Sequence, residues 1–210
     1  MTSNQRPRWN ILLPIKVLTK GKSRFKTLSD EDKIELIKAM ANDVIDELIL
    51  VPAIELITII GIDHRRLGER TQAKIQSIVP DPALGINIDI LSLHRVSEHT
   101  AVLLPDLPSL KADEVALALT LAGNHDQSFI SDRSGLGTTM YLSTKKESFH
   151  PRFGAQSARE YAENSAVELT SSEFIGIKHD CDNLSDLLNL SLPTLGPATR
   201  AFVQHWDFPQ

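Results

Sequence analysis

Cysteine is almost missing from this sequence, since Cys181 is the one cysteine among 210 residues. A single thiol excludes an intramolecular disulfide and is too little for a site in which cysteines bind a metal. Cys181 lies between two aspartates in a stretch with the pattern of a strand. We interpret it as a buried, unreactive thiol, with a reactive thiol as the alternative.

Net positive charge is also lacking. The chain has 22 Lys and Arg against 27 Asp and Glu, which gives a formal net charge of −5. Proteins that wrap nucleic acid carry a basic surface, so this composition argues against a nucleic-acid partner. A local basic pocket for a small anionic ligand is compatible with it.

The sequence has no apolar run long enough for a secretory signal or a membrane span. The first ten residues, MTSNQRPRWN, precede only the short apolar stretch Ile11–Leu13. A spanning helix needs about 20 apolar residues. We therefore expect a cytoplasmic protein with no membrane partner.

What is present is an alternation of predicted strands and helices. Apolar and β-branched runs predict strands, and apolar residues at helical spacing predict helices. The predicted strands are Asn10–Lys16, Leu56–Ile62 and Ala101–Leu104, and the predicted helices are one that begins after Ser29, Ala83–Leu93, and Ala112–Ala122 before Gly123. This order predicts an α/β protein with a mainly parallel, doubly wound sheet. We expect one domain over residues 1–210.

The pattern changes after residue 127. Two extended runs flank the glycine-containing segment Ser131–Thr138, which predicts a hairpin-type insertion with mixed strand direction. A second turn, Gly154–Ser157, precedes a predicted helix that runs to Asn164. Ligands of doubly wound sheets bind beyond the carboxyl ends of the strands. The loops that follow strands are therefore the places where a site is expected.

The first such loop is rich in positive charge. Lys16, Lys22, Ser23 and Arg24 follow the first predicted strand and precede the first predicted helix. Their three cations could neutralise most of the charge of a triphosphate. The glycine spacing is not that of a P-loop. A solvated basic loop is the alternative interpretation.

Three aspartates form a candidate metal site. Asp106 lies between two prolines after the strand Ala101–Leu104, and Asp180 and Asp182 alternate along a run that we predict to be a strand. Alternate residues of a strand face the same side. Neighbouring carboxylates repel each other unless a cation or hydrogen-bond donors lie between them, and carboxylates bind hard divalent cations such as Mg²⁺. A turn residue and a chance Asp-x-Asp pair are the alternatives.

Two glycine-containing turns are candidate anion sites. Thr138 belongs to the segment Ser134–Thr139, whose glycines would let backbone amides approach an anion closely. Gly154 and Ser157 would form the first turn of a helix, where free amides and a hydroxyl suit a phosphate or carboxylate. A simple hairpin turn is the alternative for the first segment. We interpret the nearby His150 as structural rather than as a general base.

These segments together resemble the guanylyltransferases of coenzyme F420 biosynthesis, which act on 2-phospho-L-lactate or phosphoenolpyruvate. The resemblance covers most of the chain, and its most specific runs are HPRFGAQS (His150–Ser157) and DRSGLGT (Asp132–Thr138). It is strongest in Pro14–Arg24, Asp106–Leu110, Ser131–Thr139, His150–Ser157 and Ala166–Leu169, and it continues in Asp180–Leu187 and Gly196–Arg200. It implies a Rossmann-like nucleotidyltransferase fold with helices on both faces of the sheet. It also implies the reaction, in which a phosphate on a three-carbon acid attacks the α-phosphorus of GTP and pyrophosphate leaves.

The resemblance also implies roles for particular residues. Asp106, Asp180 and Asp182 match magnesium ligands, and Thr138, Gly154 and Ser157 match positions that hold the acid. The nucleotide side would comprise the loop with Lys16, Lys22, Ser23 and Arg24, whose three cations would also serve catalysis, together with Asn87.

The implied chemistry needs no strong base. The phosphate oxygen of the acceptor is already a nucleophile at neutral pH, so catalysis would consist mainly of positioning and charge neutralisation. We expect phosphoenolpyruvate as the first choice of acceptor, 2-phospho-L-lactate as the second and 3-phosphoglycerate as the third. A nucleotidyltransferase for another phosphorylated acceptor and a nucleotide-binding protein without turnover are the alternatives. Self-association as a homodimer is left open.

Overall fold

The computed structural model describes residues 7–15, 25, 27–68, 74–79 and 98–206. The predicted helix Ala83–Leu93 lies outside these residues. The strands are β1 (Trp9–Pro14), β2 (Ile54–Ile60), β3 (Ile75–Ile78), β4 (Thr100–Leu103), β5 (Gln127–Ser131), β6 (Thr138–Ser143) and β7 (Val167–Glu168). The α-helices are α1 (Asp30–Ile49), α2 (Ala112–Ala122), α3 (Ser157–Glu163), α4 (Leu184–Leu188) and α5 (Pro197–His205).

The seven strands form one sheet in the order β3-β2-β1-β4-β6-β5-β7. All neighbouring pairs are parallel except the two that involve β6, which runs antiparallel to both β4 and β5. The predicted mainly parallel sheet is therefore confirmed. The predicted hairpin with mixed strand direction is also present as β5 and β6, and β6 pairs with β4 in the middle of the sheet.

The helix α1 begins where the sequence predicts. The Ser29 hydroxyl accepts a hydrogen bond from the backbone N–H of Asp32 at 3.1 Å, which satisfies one of the free donors of the first turn. One face of the helix buries Val44, Ile45 and Leu48 against the sheet. Burial of such side chains stabilises the fold by roughly 1.5–3 kcal/mol each.

The central strands are buried on both faces, which explains their continuous apolar runs. On β1, Ile11 and Leu13 belong to the core that α1 and α2 cover. Leu12 points to the opposite face and belongs to a second core with Tyr161 of α3. Helices therefore lie on both faces of the sheet, as predicted. Among the described residues, no helix has the length and apolar character needed to cross a membrane.

A buried carboxylate joins the last helix to the first. Asp43 of α1 accepts hydrogen bonds from the backbone N–H groups of Ala198 and Thr199, at 2.9 and 2.8 Å, in the first turn of α5. A Cβ at Gly196 would contact the same carboxyl group, so glycine permits this approach. The N–H of Gly196 in turn donates to the carbonyl of Pro108 at 2.7 Å. This contact ties α5 to the loop that follows β4.

Sheet topology defines where a ligand would bind. The chain moves outward from β1 to β2 and β3, and then returns to place β4 on the other side of β1. Such a switch point leaves a crevice beyond the carboxyl ends of the two strands. Because β6 is antiparallel to both β4 and β5, these two strands run in the same direction. The turn after β5 therefore lies at the same edge as the loop after β4.

The two tyrosines of the chain pack against each other in the second core. The rings of Tyr141 and Tyr161 stack with centroids 4.7 Å apart. The Tyr141 hydroxyl donates to the carbonyl of Ser148 at 2.6 Å and accepts from the N–H of His150 at 3.0 Å. Burial raises the pKa of Tyr141 to about 12 and also raises the pKa of Tyr161. Both hydroxyls are therefore held in the neutral form.

We expect the tyrosines to resist ionisation in the folded protein. The raised pKa contributes stability that is fully present below pH 10 and is lost as the pH rises toward 12. Tyrosinate absorbance should thus stay low at pH 11 while far-ultraviolet circular dichroism remains native. The urea-unfolded chain should titrate near pH 10. Ionisation near pH 10 with the fold intact would contradict this assignment.

Candidate active site

A cleft of about 510 Å³ lies beyond the carboxyl ends of β4 and β5. Four segments line it, namely the loop after β4, the turn between β5 and β6, the residues before α3, and the residues before and within α4. The lining carboxylates are Asp106, Asp132, Asp180, Asp182 and Asp186. The predicted metal residues Asp106, Asp180 and Asp182 are thus brought to one cleft, together with Thr138 and Gly154.

The prediction that Asp180 and Asp182 lie on a strand is wrong. They occupy a loop between the 3₁₀ turn Gly176–Lys178 and α4. The buried residue between them fixes this loop, because the N–H of Cys181 donates to the carbonyl of Asp106 at 2.9 Å. The Cys181 side chain packs in a cluster with Leu36 and Met40 of α1. Its predicted burial is confirmed, and both flanking aspartates line the cleft.

Asp186 holds the end of the same loop. One of its oxygens accepts the N–H groups of Asp182 and Asn183 at 3.0 and 3.1 Å. The Asn183 side chain accepts the N–H of Asp186 at 3.1 Å, which completes a reciprocal cap at the start of α4. One carboxylate oxygen of Asp186 therefore binds backbone donors and holds Asp182 in position.

Glu114 of α2 holds the beginning of the loop. Its carboxylate accepts the N–H groups of Ile175, Gly176 and Ile177 at 2.7, 2.7 and 2.9 Å. A Cβ at Gly176 would collide with the carbonyl of Ser109, so glycine permits the close approach of two loops there. The segment that leads to Asp180 is thus fixed from α2.

The turn between β5 and β6 is organised around Asp132. Its carboxylate accepts the N–H groups of Leu136 and Gly137 at 3.2 and 3.0 Å and the hydroxyl of Ser134 at 2.7 Å. These bonds fix the backbone on both sides of Arg133. The carbonyl of Leu136 also accepts the N–H of Ala158, which joins this turn to α3.

The predicted acid-binding residues do not all face the cleft. Thr138 and Gly154 line it, whereas Ser157 is 1 % exposed and lies behind Thr138. The Ser157 hydroxyl donates to the hydroxyl oxygen of Thr138 at 2.9 Å. A Cβ at Gly154 would meet no atom within 4 Å, so the space beside it is open. Ser157 is consequently placed to orient Thr138 rather than to contact a ligand.

Arg133 is the positively charged residue of the described lining. Its guanidinium lies 3.5 Å from a carboxylate oxygen of Asp186 and 3.4 Å from Nε2 of His179. Burial lowers the pKa of His179 below its ordinary value, and the charge of Arg133 lowers it further. The ring is therefore neutral at pH 7 and can accept a hydrogen bond from Arg133.

The cleft presents carboxylates, the kind of ligand that a hard divalent cation prefers. Within the described part of the chain, no group of three or more His, Cys, Asp or Glu residues could hold a metal ion by itself. Mg²⁺ seldom needs one, since it is usually held by one or two carboxylates, water and the phosphates of a substrate. Asp106, Asp180 and Asp182 supply carboxylates of that kind.

The predicted nucleotide-side residues Lys16, Lys22, Ser23, Arg24 and Asn87 lie outside the described residues. His150, which we interpret as structural, is exposed and does not belong to the cleft lining. Its N–H is bound by Tyr141.

Sequence reasoning missed the roles of Asp132, Asp186 and Glu114. The pair Asn183 and Asp186 has the spacing of a capping box, so that signal could have been recognised. Asp132 precedes a glycine-containing turn, where an aspartate often accepts local backbone bonds. The contacts of Glu114 join distant segments, and no local pattern indicates them.

Solved structures share this fold. A candidate nucleotide-diphospho-sugar transferase from Desulfovibrio desulfuricans G20 matches with a TM-score of 0.66 at 16% identity, over 95% of each chain. The manganese complex of Rv0371C from Mycobacterium tuberculosis H37Rv matches with a TM-score of 0.53 at 12% identity, over 88% of this chain and 98% of that one. The fold is therefore that of an α/β nucleotidyltransferase.

The sequence defines the family within that fold. Residues 9–209 match the family described as Guanylyl transferase CofC like. A phosphoenolpyruvate guanylyltransferase of Mycolicibacterium gilvum (strain PYR-GCK) is 34% identical over 205 residues, which cover 90% of this chain and 92% of the relative. One of Streptomyces coelicolor (strain ATCC BAA-471 / A3(2) / M145) is 28% identical over 202 residues, which cover 92% and 95%. The chain belongs to this guanylyltransferase family and is a nucleotidyltransferase.

We expect Glu114→Ala to destabilise the protein by at least about 2 kcal/mol, because three backbone donors lose their acceptor and two of these bonds are buried. The exposed neighbour Asp113 provides a matched control in the same helical turn. Asp113→Ala should cost less than about 1 kcal/mol. Urea unfolding measures both values. Equal losses would show that the contacts of Glu114 are not needed to hold the loop.

Proposed function

We propose that the protein transfers guanylate from GTP to phosphoenolpyruvate and releases pyrophosphate, as a step of coenzyme F420 biosynthesis. The observation that carries the proposal is that three carboxylates and Thr138 and Gly154 line one cleft in a member of this family. The names of the relatives from Mycolicibacterium gilvum and Streptomyces coelicolor support the choice of acceptor. 2-Phospho-L-lactate and 3-phosphoglycerate are the further candidates.

The reaction forms one bond and breaks one. A phosphate oxygen of the acceptor attacks the α-phosphorus of GTP, and the bond from that phosphorus to the oxygen bridging the β-phosphorus breaks. The electron pair leaves with pyrophosphate. The acceptor phosphate is already anionic at neutral pH, so the protein's contribution is to bring two polyanions together in line.

Asp106, Asp180 and Asp182 would hold a divalent cation, which we propose to be Mg²⁺. When bound, the cation would neutralise charge on the phosphates and on the leaving pyrophosphate. The manganese complex of Rv0371C shows a protein with a related fold holding a divalent metal. In this chain the hydrogen bond from the N–H of Cys181 to the carbonyl of Asp106 joins the loop that carries Asp180 and Asp182 to the loop that carries Asp106.

The acceptor would lie against Thr138 and Gly154. The Thr138 hydroxyl is oriented by Ser157, and the open space beside Gly154 lets a ligand approach the backbone. Lys16, Lys22, Ser23, Arg24 and Asn87 would bind the nucleotide on the other side of the switch point. That side lies next to β1, whereas Thr138 lies on β6.

A cytoplasmic location is part of the proposal. The single, buried thiol of Cys181, which forms no disulfide, suits a reducing compartment. Self-association as a homodimer can be measured by light scattering on the same protein preparation.

Pyrophosphate release tests the function. Purified protein with Mg²⁺ and GTP should release pyrophosphate only when a three-carbon phosphorylated acid is present, fastest with phosphoenolpyruvate. ATP should be at least about tenfold poorer, because a site that hydrogen-bonds guanine leaves its polar groups unpaired with adenine. Asp180→Asn should reduce the rate by on the order of a hundredfold or more without changing the urea midpoint. Equal rates with ATP and GTP would reopen the wider nucleotidyltransferase class.

We expect Gly154→Val to block the acceptor site while the protein stays folded. The added side chain would enter the cleft, and its Cβ would meet no atom within 4 Å. The KM for phosphoenolpyruvate should rise by about tenfold or more, a loss of about 1.4 kcal/mol of binding. GTP affinity, measured by calorimetry, should be unchanged.

The control for Gly154→Val is Ala162→Val, which places a valine at an exposed position of α3. It should leave the kinetics as in the wild type. Wild-type KM values in the Gly154→Val protein would remove Gly154 from the acceptor site.

A further inference from the structure

We propose that Arg133 binds an oxyanion of the acceptor, and that it exchanges its contact with Asp186 for this oxyanion when the acceptor enters. The inference rests on the function proposed above and adds a residue that binds a charged group of the acceptor. It follows from the position, the weak contacts and the charge of the surroundings of Arg133.

The position of Arg133 is fixed by its backbone. Two sets of hydrogen bonds hold the turn that carries Arg133. The Asp132 carboxylate accepts backbone N–H groups of the turn, and the N–H of Gly135 donates to the Asp132 carbonyl at 3.1 Å. The same turn leads directly to Thr138 at the start of β6. A guanidinium on this turn therefore lies in the part of the cleft where the acceptor is expected.

The present contacts of Arg133 are weak. Charge-assisted hydrogen bonds between guanidinium and carboxylate are typically about 2.7–2.9 Å long. Arg133 lies 3.5 Å from Asp186, and its side chain is 53 % exposed. Half-exposed ion pairs of this geometry contribute little to stability. The guanidinium can leave Asp186 at small cost.

Asp186 does not need Arg133 in order to stay in place. Its other oxygen accepts the N–H groups of Asp182 and Asn183, and its own N–H is bound by Asn183. The exchange would thus leave the loop with Asp180 and Asp182 undisturbed.

The charge of the cleft favours binding of an anionic acceptor at Arg133. Five aspartates line the cleft, and Arg133 is the one Lys or Arg among its described lining residues. A three-carbon acid carries a phosphate and a carboxylate, and a divalent cation beside the reacting phosphate leaves the second group without a counter-charge. A guanidinium can bind either oxyanion through two parallel N–H donors.

The test compares Arg133→Gln with Arg159→Gln, both in steady-state kinetics. Arg159 carries the same charge but pairs with Glu163 on the exposed face of α3, away from the cleft lining. Arg133→Gln should raise the KM for phosphoenolpyruvate about tenfold or more, with the KM for GTP within twofold of wild type. The KM of Arg133→Lys for phosphoenolpyruvate should lie between those of the wild type and Arg133→Gln, since lysine keeps the charge without the two parallel donors. Arg159→Gln should match the wild type.

A carboxamide analogue of phosphoenolpyruvate, used as a competitive inhibitor, identifies the oxyanion. If Arg133 binds the carboxylate, Arg133→Gln should abolish the preference for acid over amide. If it binds the phosphate, the variant should weaken both compounds equally. Either result supports a contact with the acceptor.

An unchanged phosphoenolpyruvate KM in Arg133→Gln, or equal rises in the KM values of acceptor and GTP, would overturn the inference and leave the proposed function standing. A wild-type protein without acceptor-dependent pyrophosphate release would instead overturn the proposed function itself.

Discussion

The hydrogen bond from the N–H of Cys181 to the carbonyl of Asp106 is the contact on which the site depends. It joins the loop after β4 to a segment far along the chain, at a point where the Cys181 side chain is buried against α1. Because one side chain faces the core, the aspartates on either side of it can line the cleft. A backbone contact thereby brings the short side chains of Asp106, Asp180 and Asp182 to the same cleft.

Carboxylates serve two separate purposes around this contact. Asp132, Asp186 and Glu114 accept backbone N–H groups and hold loops in place. Asp106, Asp180 and Asp182 line the cleft and are proposed to hold a cation. The first group fixes the loops around the cleft, so that Asp106, Asp180 and Asp182 line it before any ligand arrives.

The sequence predicts the parts of the fold that depend on local pattern. Runs such as Ile11–Leu13 are apolar throughout because strands buried on both faces need no polar side, and Ser29 marks the start of α1. The strand predicted at Asp180 and Asp182 fails because the same polar-apolar alternation arises when tertiary contacts pin a loop at one buried residue. The pairing of β6 with β4 could not be predicted either, because local sequence does not determine which strand is the neighbour in the sheet. Local pattern indicated the candidate site residues except Asn87, and a resemblance gave them specific roles. The supporting role of Ser157 became visible only in its bond to Thr138.

The single reversed strand has a consequence for how this enzyme could diversify. Since β6 runs against its neighbours, its first residue, Thr138, reaches the edge at which β1 and β4 end. The proposed acceptor wall is thus built from chain after residue 127, and the proposed triphosphate loop from chain before residue 30. Substitutions could therefore change which acid is accepted while leaving the donor side untouched. Recombination between relatives at the segment that links α2 to β5 should exchange acceptor preference as one block.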